Sequence, residues 1–295
     1  MLMAHKICLH PNHCQATYFA RAAGTARFAY NWALAQWQKQ YDAWKLDNTQ
    51  PKPSQAALRR ELNAVKKEQF PWMLEVTKNA PQMAIIQLGQ AFQNFFAGRA
   101  KFPKFRKKSV HDRFSLSNDQ FSVESSRIRI PHLGWVRMRE ALRFTGKIMS
   151  ATVSRVAGKW FVSITIDTPE PSTPTKTENQ GAVGVDLGVL ALATLSTGQS
   201  IAGPKAHKAL LPRLQRLSRS LSRKVKGSEN RQKTKLARLH ARIGNIRKDA
   251  LHQLTTHLTR RFHTIGIEDL NVRGMVKNRH LSRAVSDMGF FELRR

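Results

Sequence analysis

Apolar residues recur at helical spacing through the first hundred positions of the chain. Between residues 15 and 46, aromatic residues and alanines return every three or four positions, which predicts a helix or a helix pair. A second helix is expected over residues 55–67, with Ser54 as its N-cap. A third is expected over residues 79–96. Together these segments predict a helical subdomain over residues 15–98.

Alternating apolar and polar residues follow, which is the pattern of half-buried strands. The alternating runs lie at residues 121–123, 127–130, 135–138, 148–156 and 159–166. The last two flank Ala157-Gly158, a hairpin turn signal. These runs predict a small β-barrel or sheet. If residues 4–9, which also have strand character, belong to it, the helical subdomain is an insertion.

A proline- and threonine-rich segment, residues 168–181, contains no large apolar side chain and is typical of a linker. The expected organisation is therefore mixed α/β and multidomain. A β domain would comprise residues 1–14 and 99–167, with the helical insertion at 15–98. A further α/β domain would occupy residues 182–295.

Two short apolar runs in this last part each end in an acid: Ala182–Asp186 and Thr264–Glu268. Residues 190–196 and 200–201 flank a Thr-Gly turn and are predicted to be two antiparallel strands. Leucines and isoleucines then recur at heptad-like spacing from Leu210 to Ile246, with a break at residues 227–230. This pattern predicts a packed helical hairpin between the two acids.

Charge is the strongest compositional signal. The 295 residues contain 50 Lys and Arg against 19 Asp and Glu, a net charge of +31. An excess of this size points to a polyanionic partner, either nucleic acid or an anionic membrane. No apolar run reaches the roughly 18 residues of a membrane span and no signal peptide opens the sequence, so nucleic acid is expected and a membrane is not.

Two segments are candidates for phosphate contacts. In the loop at residues 98–108, lysines and arginines alternate with Phe102 and Phe105. The two phenylalanine rings would either stack on nucleobases or pack into the protein core. The helical hairpin carries 17 Lys and Arg against two acids, a one-sided charge that favours a phosphate backbone along it. The predicted nucleic-acid-binding residues are Lys101, Lys104, Arg106, Lys107, Lys108, Arg219, Arg223, Lys224, Arg231, Lys235, Arg238, Arg242 and Arg247.

This part of the sequence runs from a strand through a hairpin and a long excursion to a last strand, and the first and last strands each end in an acid. This order predicts an RNase H-like nuclease domain. In that architecture the two strands are neighbours, and their acids converge on two metal ions about 4 Å apart. Asp186 and Glu268 are therefore the predicted catalytic and metal-binding residues. Oxygen ligands of this kind suit Mg²⁺ or Mn²⁺.

Only two cysteines, Cys8 and Cys14, are present, which excludes a disulfide framework and favours a reducing cytosol. With His5 and His13 they form a run of potential metal ligands, but the spacing of this run is not that of a zinc ribbon. The favoured interpretation of the segment is the end of a strand and the loop that follows it.

Motifs along nearly the whole chain carry a further resemblance. They are Arg27–Trp32, Phe95–Lys108, Val185–Gly188, the helix positions Asn245, Arg247, Asp249 and His252, and Ile267–Leu270. In this order they resemble the TnpB (OrfB) transposon-encoded proteins, RNA-guided RuvC-like nucleases related to the type V CRISPR effectors. In that family they are a helix-turn-helix motif, a basic loop, the first RuvC motif, the helix before the second RuvC motif, and that second motif.

The resemblance implies a β-barrel wedge domain with a helical insertion, followed by a RuvC domain with the long basic hairpin. It implies a guide RNA transcribed from the transposon end and a DNA target that is cut beside a short recognition motif. It also implies a cytoplasmic, nucleoid-associated protein of a bacterium or archaeon. Asp186 and Glu268 are the counterparts of two of the family's metal-binding acids.

Family members continue past the helix represented here by Leu281–Arg295 with a zinc ribbon and a third catalytic aspartate. The sequence has no Cys-x-x-Cys pair, so no zinc site is expected in this chain and the metal centre is expected to be incomplete. Asp287 is the only nearby acid that could substitute for the third one, and a helix-surface role is expected for it instead. The expected function is RNA-guided DNA binding at an incomplete endonuclease site. The alternatives are a nuclease-inactive repressor and a non-functional truncated transposase fragment.

Overall fold

The structure is a computed structural model that describes residues 1–169, 181–225 and 227–293. The chain divides into two compact units, Met1–Pro171 and Ser172–Arg295, which are considered separately. The segment predicted to be a linker, residues 168–181, lies largely outside the described residues. Among the helices of the described ranges, none is long and apolar enough to cross a membrane.

Seven antiparallel strands form the sheet of the first unit. They are β1 (Leu2–His10), β2 (Arg113–Ser117), β3 (Ser122–Glu124), β4 (Arg127–Ile130), β5 (Gly134–Met138), β6 (Lys147–Val156) and β7 (Lys159–Asp167). Their order in the sheet is β2-β6-β7-β1-β5-β4-β3. Because β1 lies in the middle of the sheet, between β7 and β5, the helices that follow it in sequence are an excursion from the sheet.

The sheet is open, so the closed barrel that the sequence allowed is not formed. In the part of the chain that the structure describes, β2 pairs only with β6 and β3 only with β4. The two edges are nevertheless near each other. Ser117 ends β2 and Ser122 begins β3, and five residues of chain span at most about 17 Å. Seven flat strands would span about 29 Å, so the sheet must curl.

Three helices intervene between β1 and β2: α1 (His13–Leu46), α2 (Gln55–Gln69) and α3 (Asn79–Phe96). The Asn12 side chain caps α1 by accepting the backbone N–H of Gln15, and the predicted cap Ser54 accepts the N–H of Ala57. The second and third helices are confirmed. Residues 15–46 belong to one uninterrupted helix rather than to a pair.

Helices and sheet of the first unit share one hydrophobic core. The fully buried ring of Phe19 on α1 lies 6.0 Å from the ring of Phe114 on β2 and 5.3 Å from that of Trp160 on β7. Trp37 stacks on Phe92 of α3 with ring centroids 4.2 Å apart. Burial of each such side chain is worth about 1.5–3 kcal/mol, so these contacts fix the helices on the sheet.

The second unit contains a four-stranded sheet and a helical hairpin. Its strands are β8 (Ala182–Asp186), β9 (Ala193–Leu195), β10 (Ser200–Ile201) and β11 (Thr264–Ile267), and its helices are α4 (Ala206–Ser222), α5 (Asn230–Arg261), α6 (Val272–Met275), α7 (Ser282–Met288) and α8 (Phe290–Leu293). The strand order is β10-β9-β8-β11. The predicted order of strands and hairpin in this part of the chain is confirmed.

One face of this sheet is packed and the other is exposed. Val183 and Val185 of β8 are buried in a cluster with Leu251, Leu254 and Leu258 of α5. Residues 184 and 186 alternate with them and are exposed, as the period of a strand requires. The exposed face is where the first predicted acid lies.

Candidate metal site and nucleic-acid surfaces

The two predicted acids end neighbouring parallel strands. β8 and β11 pair in parallel, and the last pair in register is Val185 with Ile267. Asp186, the last residue of β8, follows Val185, and Glu268 follows Ile267 directly after the end of β11. Parallel neighbours lie about 4.8 Å apart, so the backbone brings these two carboxylates to the same end of the sheet.

Both acids line one open cavity of about 560 Å³ on the exposed side of the sheet. Gly184 and Gly266, which face each other across the two strands, line its floor, and Thr194 and Ser196 of the adjacent hairpin line its wall. The Ser196 hydroxyl accepts the N–H of Gly184 at 3.1 Å. Because neither glycine has a side chain, the space beside the carboxylates stays open.

Neither carboxylate has a side-chain partner among residues 1–169, 181–225 and 227–293. Asp186 and Glu268 are both exposed, and no hydrogen bond or ion pair joins them to a neighbouring residue there. Two unpaired carboxylates of like charge on adjacent strands repel each other, and a divalent cation would relieve that repulsion. The donor set therefore fits a hard cation, although no cluster of three or more metal-ligating side chains is found in the described ranges.

Asp287 has a structural role. It is buried, with 4% of its surface exposed, so the predicted helix-surface position is wrong. Its two carboxylate oxygens accept the backbone N–H groups of His207 at 2.8 Å and Lys208 at 3.0 Å. These are free donors in the first turn of α4, whose own cap residue makes no side-chain bond. Asp287 thus caps a helix 80 residues earlier in the sequence.

Residues of α1 hold the basic loop in place. The Asn31 side chain accepts the backbone N–H of Arg106 at 2.7 Å and donates to its carbonyl at 3.0 Å. Arg27 pairs with Asp112 at 2.9 Å, and both side chains are largely buried. Tyr30 lies under the Arg106 guanidinium at 3.7 Å. The motif at residues 27–32 is therefore an anchor for the loop.

Arg106 differs from the other predicted phosphate ligands of this loop. Its guanidinium stacks on Tyr30 and donates to the Gln87 side chain at 2.9 Å. Burial lowers the pKa of Arg106 to about 10, which still leaves it charged at neutral pH. The other predicted phosphate ligands of the loop are exposed: Lys101, Lys104, Lys107 and Lys108.

The two phenylalanines of the loop have different surroundings. Phe102 packs edge-on against Phe92 and Phe95, with centroids 5.5 and 5.3 Å away, and keeps 43% of its surface exposed. Phe105 is 50% exposed. Phe102 is thus partly in the core, whereas Phe105 offers a free ring face beside Lys104.

The predicted cations of the helical hairpin are exposed with one exception. The exposed ones are Arg219, Arg223, Lys224, Arg231, Lys235, Arg238 and Arg242. The last four recur at intervals of four, three and four residues, which places them along one side of α5. The exception is Arg247, whose guanidinium donates to the Ser286 carbonyl at 2.9 Å and is partly buried.

Comparison with known proteins gives two family matches. A profile described as "Probable transposase" matches residues 161–279, and one described as "Helix-turn-helix domain" matches residues 1–45. In this structure the second segment is β1 followed by the single helix α1. No turn between two helices occurs inside the described residues 1–45.

Two relatives match this chain over nearly its whole length. "Putative RNA-guided DNA endonuclease InsQ" of Escherichia coli strain K12 is 36% identical over 312 residues, covering 100% of this chain and 76% of that protein. A "Putative RNA-guided DNA endonuclease" of Streptomyces pristinaespiralis is 38% identical, covering 99% and 72%. A solved Cas12f1–sgRNA–target DNA complex aligns over 100% of this chain and 82% of that chain, at 12% identity and a TM-score of 0.33.

Proposed function

Because this chain belongs to the TnpB (OrfB) family of transposon-encoded proteins, we propose that it binds a guide RNA and a target DNA and carries a RuvC-like site for metal-dependent cutting of that DNA. Asp186 and Glu268 are the proposed catalytic acids. The single observation that carries the site is the parallel pairing of β8 with β11, which ends in these two unpartnered carboxylates.

Mg²⁺ or Mn²⁺ is the proposed cofactor, held by Asp186 and Glu268. Such an ion, when bound, activates water and stabilises the oxygen that leaves the phosphodiester. The chain itself contributes two negative charges at a fixed spacing and a floor without side chains at Gly184 and Gly266. The open floor leaves space for a phosphate group beside the carboxylates.

The nucleic-acid backbone is proposed to contact the exposed cations of the loop at 101–108 and of the α4–α5 hairpin. Support comes from their exposure and from the shortage of acids around them. Phe105 is the proposed stacking residue, since its ring is exposed next to Lys104. Arg106 is proposed to act by holding local structure, because its guanidinium is already engaged by Tyr30 and Gln87.

Metal-dependent thermal stability tests the acids without requiring activity. A ligand that binds only the folded state raises the melting temperature, by an amount that grows with the logarithm of its concentration above the Kd. We expect Mn²⁺ to raise the melting temperature of the wild-type chain and to lose that effect in Asp186→Asn and Glu268→Gln. Without metal, both variants should be at least as stable as the Asp42→Asn variant, which makes the same change in net charge, because a repulsion between two carboxylates is removed. The exposed acid Asp42 provides a control as Asp42→Asn.

Cleavage is tested with the protein and whatever RNA co-purifies with it, using a target DNA complementary to that RNA. The proposal expects cutting that requires Mg²⁺ or Mn²⁺ and is abolished by Asp186→Asn. The alternative, a nuclease-inactive RNA-guided binder, expects salt-dependent binding that Asp186→Asn leaves unchanged and no cutting by either protein.

A further inference from the structure

The second unit contains two adjoining cavities away from the two acids. They have volumes of about 630 and 600 Å³ and share Leu211, Ser282, Arg283 and Asp287 as lining residues. The first lies between α4, α5 and α7, and the second lies beside it between α4, α7 and the loop at Val189 and Leu190. Their size is that of a small-ligand site. Apolar side chains, among them Leu211 and Ile243, form part of the wall.

The walls of these cavities, here called the α4–α5–α7 pocket, are strongly basic. Its permanently charged cations are Lys205, Lys208, Arg247, Arg279 and Arg283, joined by three histidines. Asp287 is the one acid in these linings, and both of its oxygens are occupied by backbone N–H groups of α4. No ion pair joins the three arginines to an acid among the described residues. The pocket therefore holds uncompensated positive charge.

Two polar atoms of this pocket are buried without a hydrogen-bond partner in the described part of the chain: Nε of Arg247 and Nδ1 of His207. Arg247 cannot easily swing away to solvent. Its Nη1 donates to the Ser286 carbonyl, and its aliphatic stem lies where a side chain at position 289 would stand. Buried donors without an acceptor are costly. An anionic ligand beside Arg247 would compensate the charge that no acid of the described residues pairs with.

Gly244 is a second, independent indication of a ligand. It lies in the middle of α5, where glycine is the least favourable residue after proline. No packing requirement explains it, since a Cβ built there meets no atom within 4 Å. It lines the pocket, so the missing side chain keeps the cavity open.

We propose that the α4–α5–α7 pocket binds one nucleotide of a nucleic-acid strand, with its phosphate on the basic residues around Arg247 and Arg283 and its base or sugar against the apolar wall. The inference rests on the proposed function, because the ligand is part of the same nucleic-acid partner. It adds a site that is separate from the metal-binding acids and from the exposed stripe on α5.

Filling the pocket without changing its charge tests the proposal. Gly244→Phe places a ring in the cavity, and Gly244→Ala is the matched control, because both replace glycine within a helix and neither alters charge. Binding of the full chain to fluorescently labelled single-stranded DNA and RNA oligonucleotides of about 20 nucleotides is measured by anisotropy. We expect Gly244→Phe to weaken binding of one or both strands at least about tenfold while Gly244→Ala binds as wild type. The strand that is affected identifies the ligand.

A charge variant checks the same site independently. Arg283→Gln should weaken binding. It should also lower the salt slope, the steepness with which log affinity falls with log salt concentration, by about 0.7 for the lost phosphate contact. Arg260 is an exposed arginine outside the pocket, and Arg260→Gln should have smaller effects on both quantities. If wild type binds oligonucleotide and both Gly244→Phe and Arg283→Gln bind equally well, the pocket proposal is wrong while the proposed function stands. If wild type binds neither DNA nor RNA, both are wrong.

Discussion

At the level of single residues, two cations on the same loop have opposite surroundings. Lys104 is exposed, whereas Arg106 is stacked on Tyr30 and bonded to Gln87. Sequence position and charge gave both the same predicted role as phosphate ligands. The difference arises from Tyr30 on α1 and Gln87 on α3, and no local pattern reports contacts with such distant residues.

Alanine substitutions should separate these two roles. Arg106→Ala removes a half-buried stack and leaves the Gln87 acceptor unpaired, so we expect it to destabilise the first unit by about 1–3 kcal/mol. Lys104→Ala should change stability by less than about 0.5 kcal/mol and weaken nucleic-acid binding instead. Urea unfolding and anisotropy on the same preparations make the comparison. Equal stability of the two variants would contradict the structural role of Arg106.

The buried carboxylate of Asp287 gives a second residue-level prediction. Asp287→Ala leaves two N–H groups of the first turn of α4 without an acceptor, and we expect a loss of about 1–3 kcal/mol. Asp287→Asn keeps one acceptor and should lose less. Ser286→Ala is the control, since the carbonyl of Ser286 and not its hydroxyl is used. If urea unfolding shows Asp287→Ala to be as stable as Ser286→Ala, the capping role is incorrect.

At the level of elements, local signals predicted most boundaries. Ser54 as a cap and the apolar runs before Asp186 and Glu268 each act within a few residues, and the elements they delimit are present. What failed depended on distant pairing. Barrel closure requires a ladder between β2 and β3, which lie at opposite ends of the strand order in the described sheet.

The basic stripe on α5 can be tested as an element. Replacing Arg231, Lys235, Arg238 and Arg242 by Gln removes four charges with little change in helix propensity. Because cations four residues apart repel each other, we expect the helix to be at least as stable as before. If these residues contact phosphates of duplex DNA, the salt slope of binding should fall by about 3–4.

The control for the stripe removes equal charge from the first unit. Lys39, Arg60, Lys67 and Lys78 are exposed there, and their four Gln substitutions should leave most of the salt slope intact. Equal slopes for the two quadruple variants would mean that only total charge matters, and the α5 stripe would lose its proposed role.

At the level of the whole molecule, the net charge of +31 lowers the stability of the folded state and raises the affinity for a polyanion. Like charges repel in the compact state and destabilise it, while the same charges attract a polyanion. Salt screens both effects, with a Debye length of about 10 Å at 0.1 M. The composition alone already implies this, since it depends on the sum of charges and not on their positions.

Raising KCl from about 50 to 300 mM should therefore raise the melting temperature of the nucleic-acid-free protein and lower its affinity for oligonucleotides. Relief of about 1 kcal/mol of repulsion corresponds to a rise of about 2–4 °C, and affinity should fall by several orders of magnitude if 6–10 phosphates are contacted. The quadruple α5 variant should show a smaller rise, because part of the repulsion is already gone. Scanning calorimetry and anisotropy across one salt series measure both. If the melting temperature of this nucleic-acid-free protein falls as the salt concentration rises, repulsion among these cations does not limit its stability.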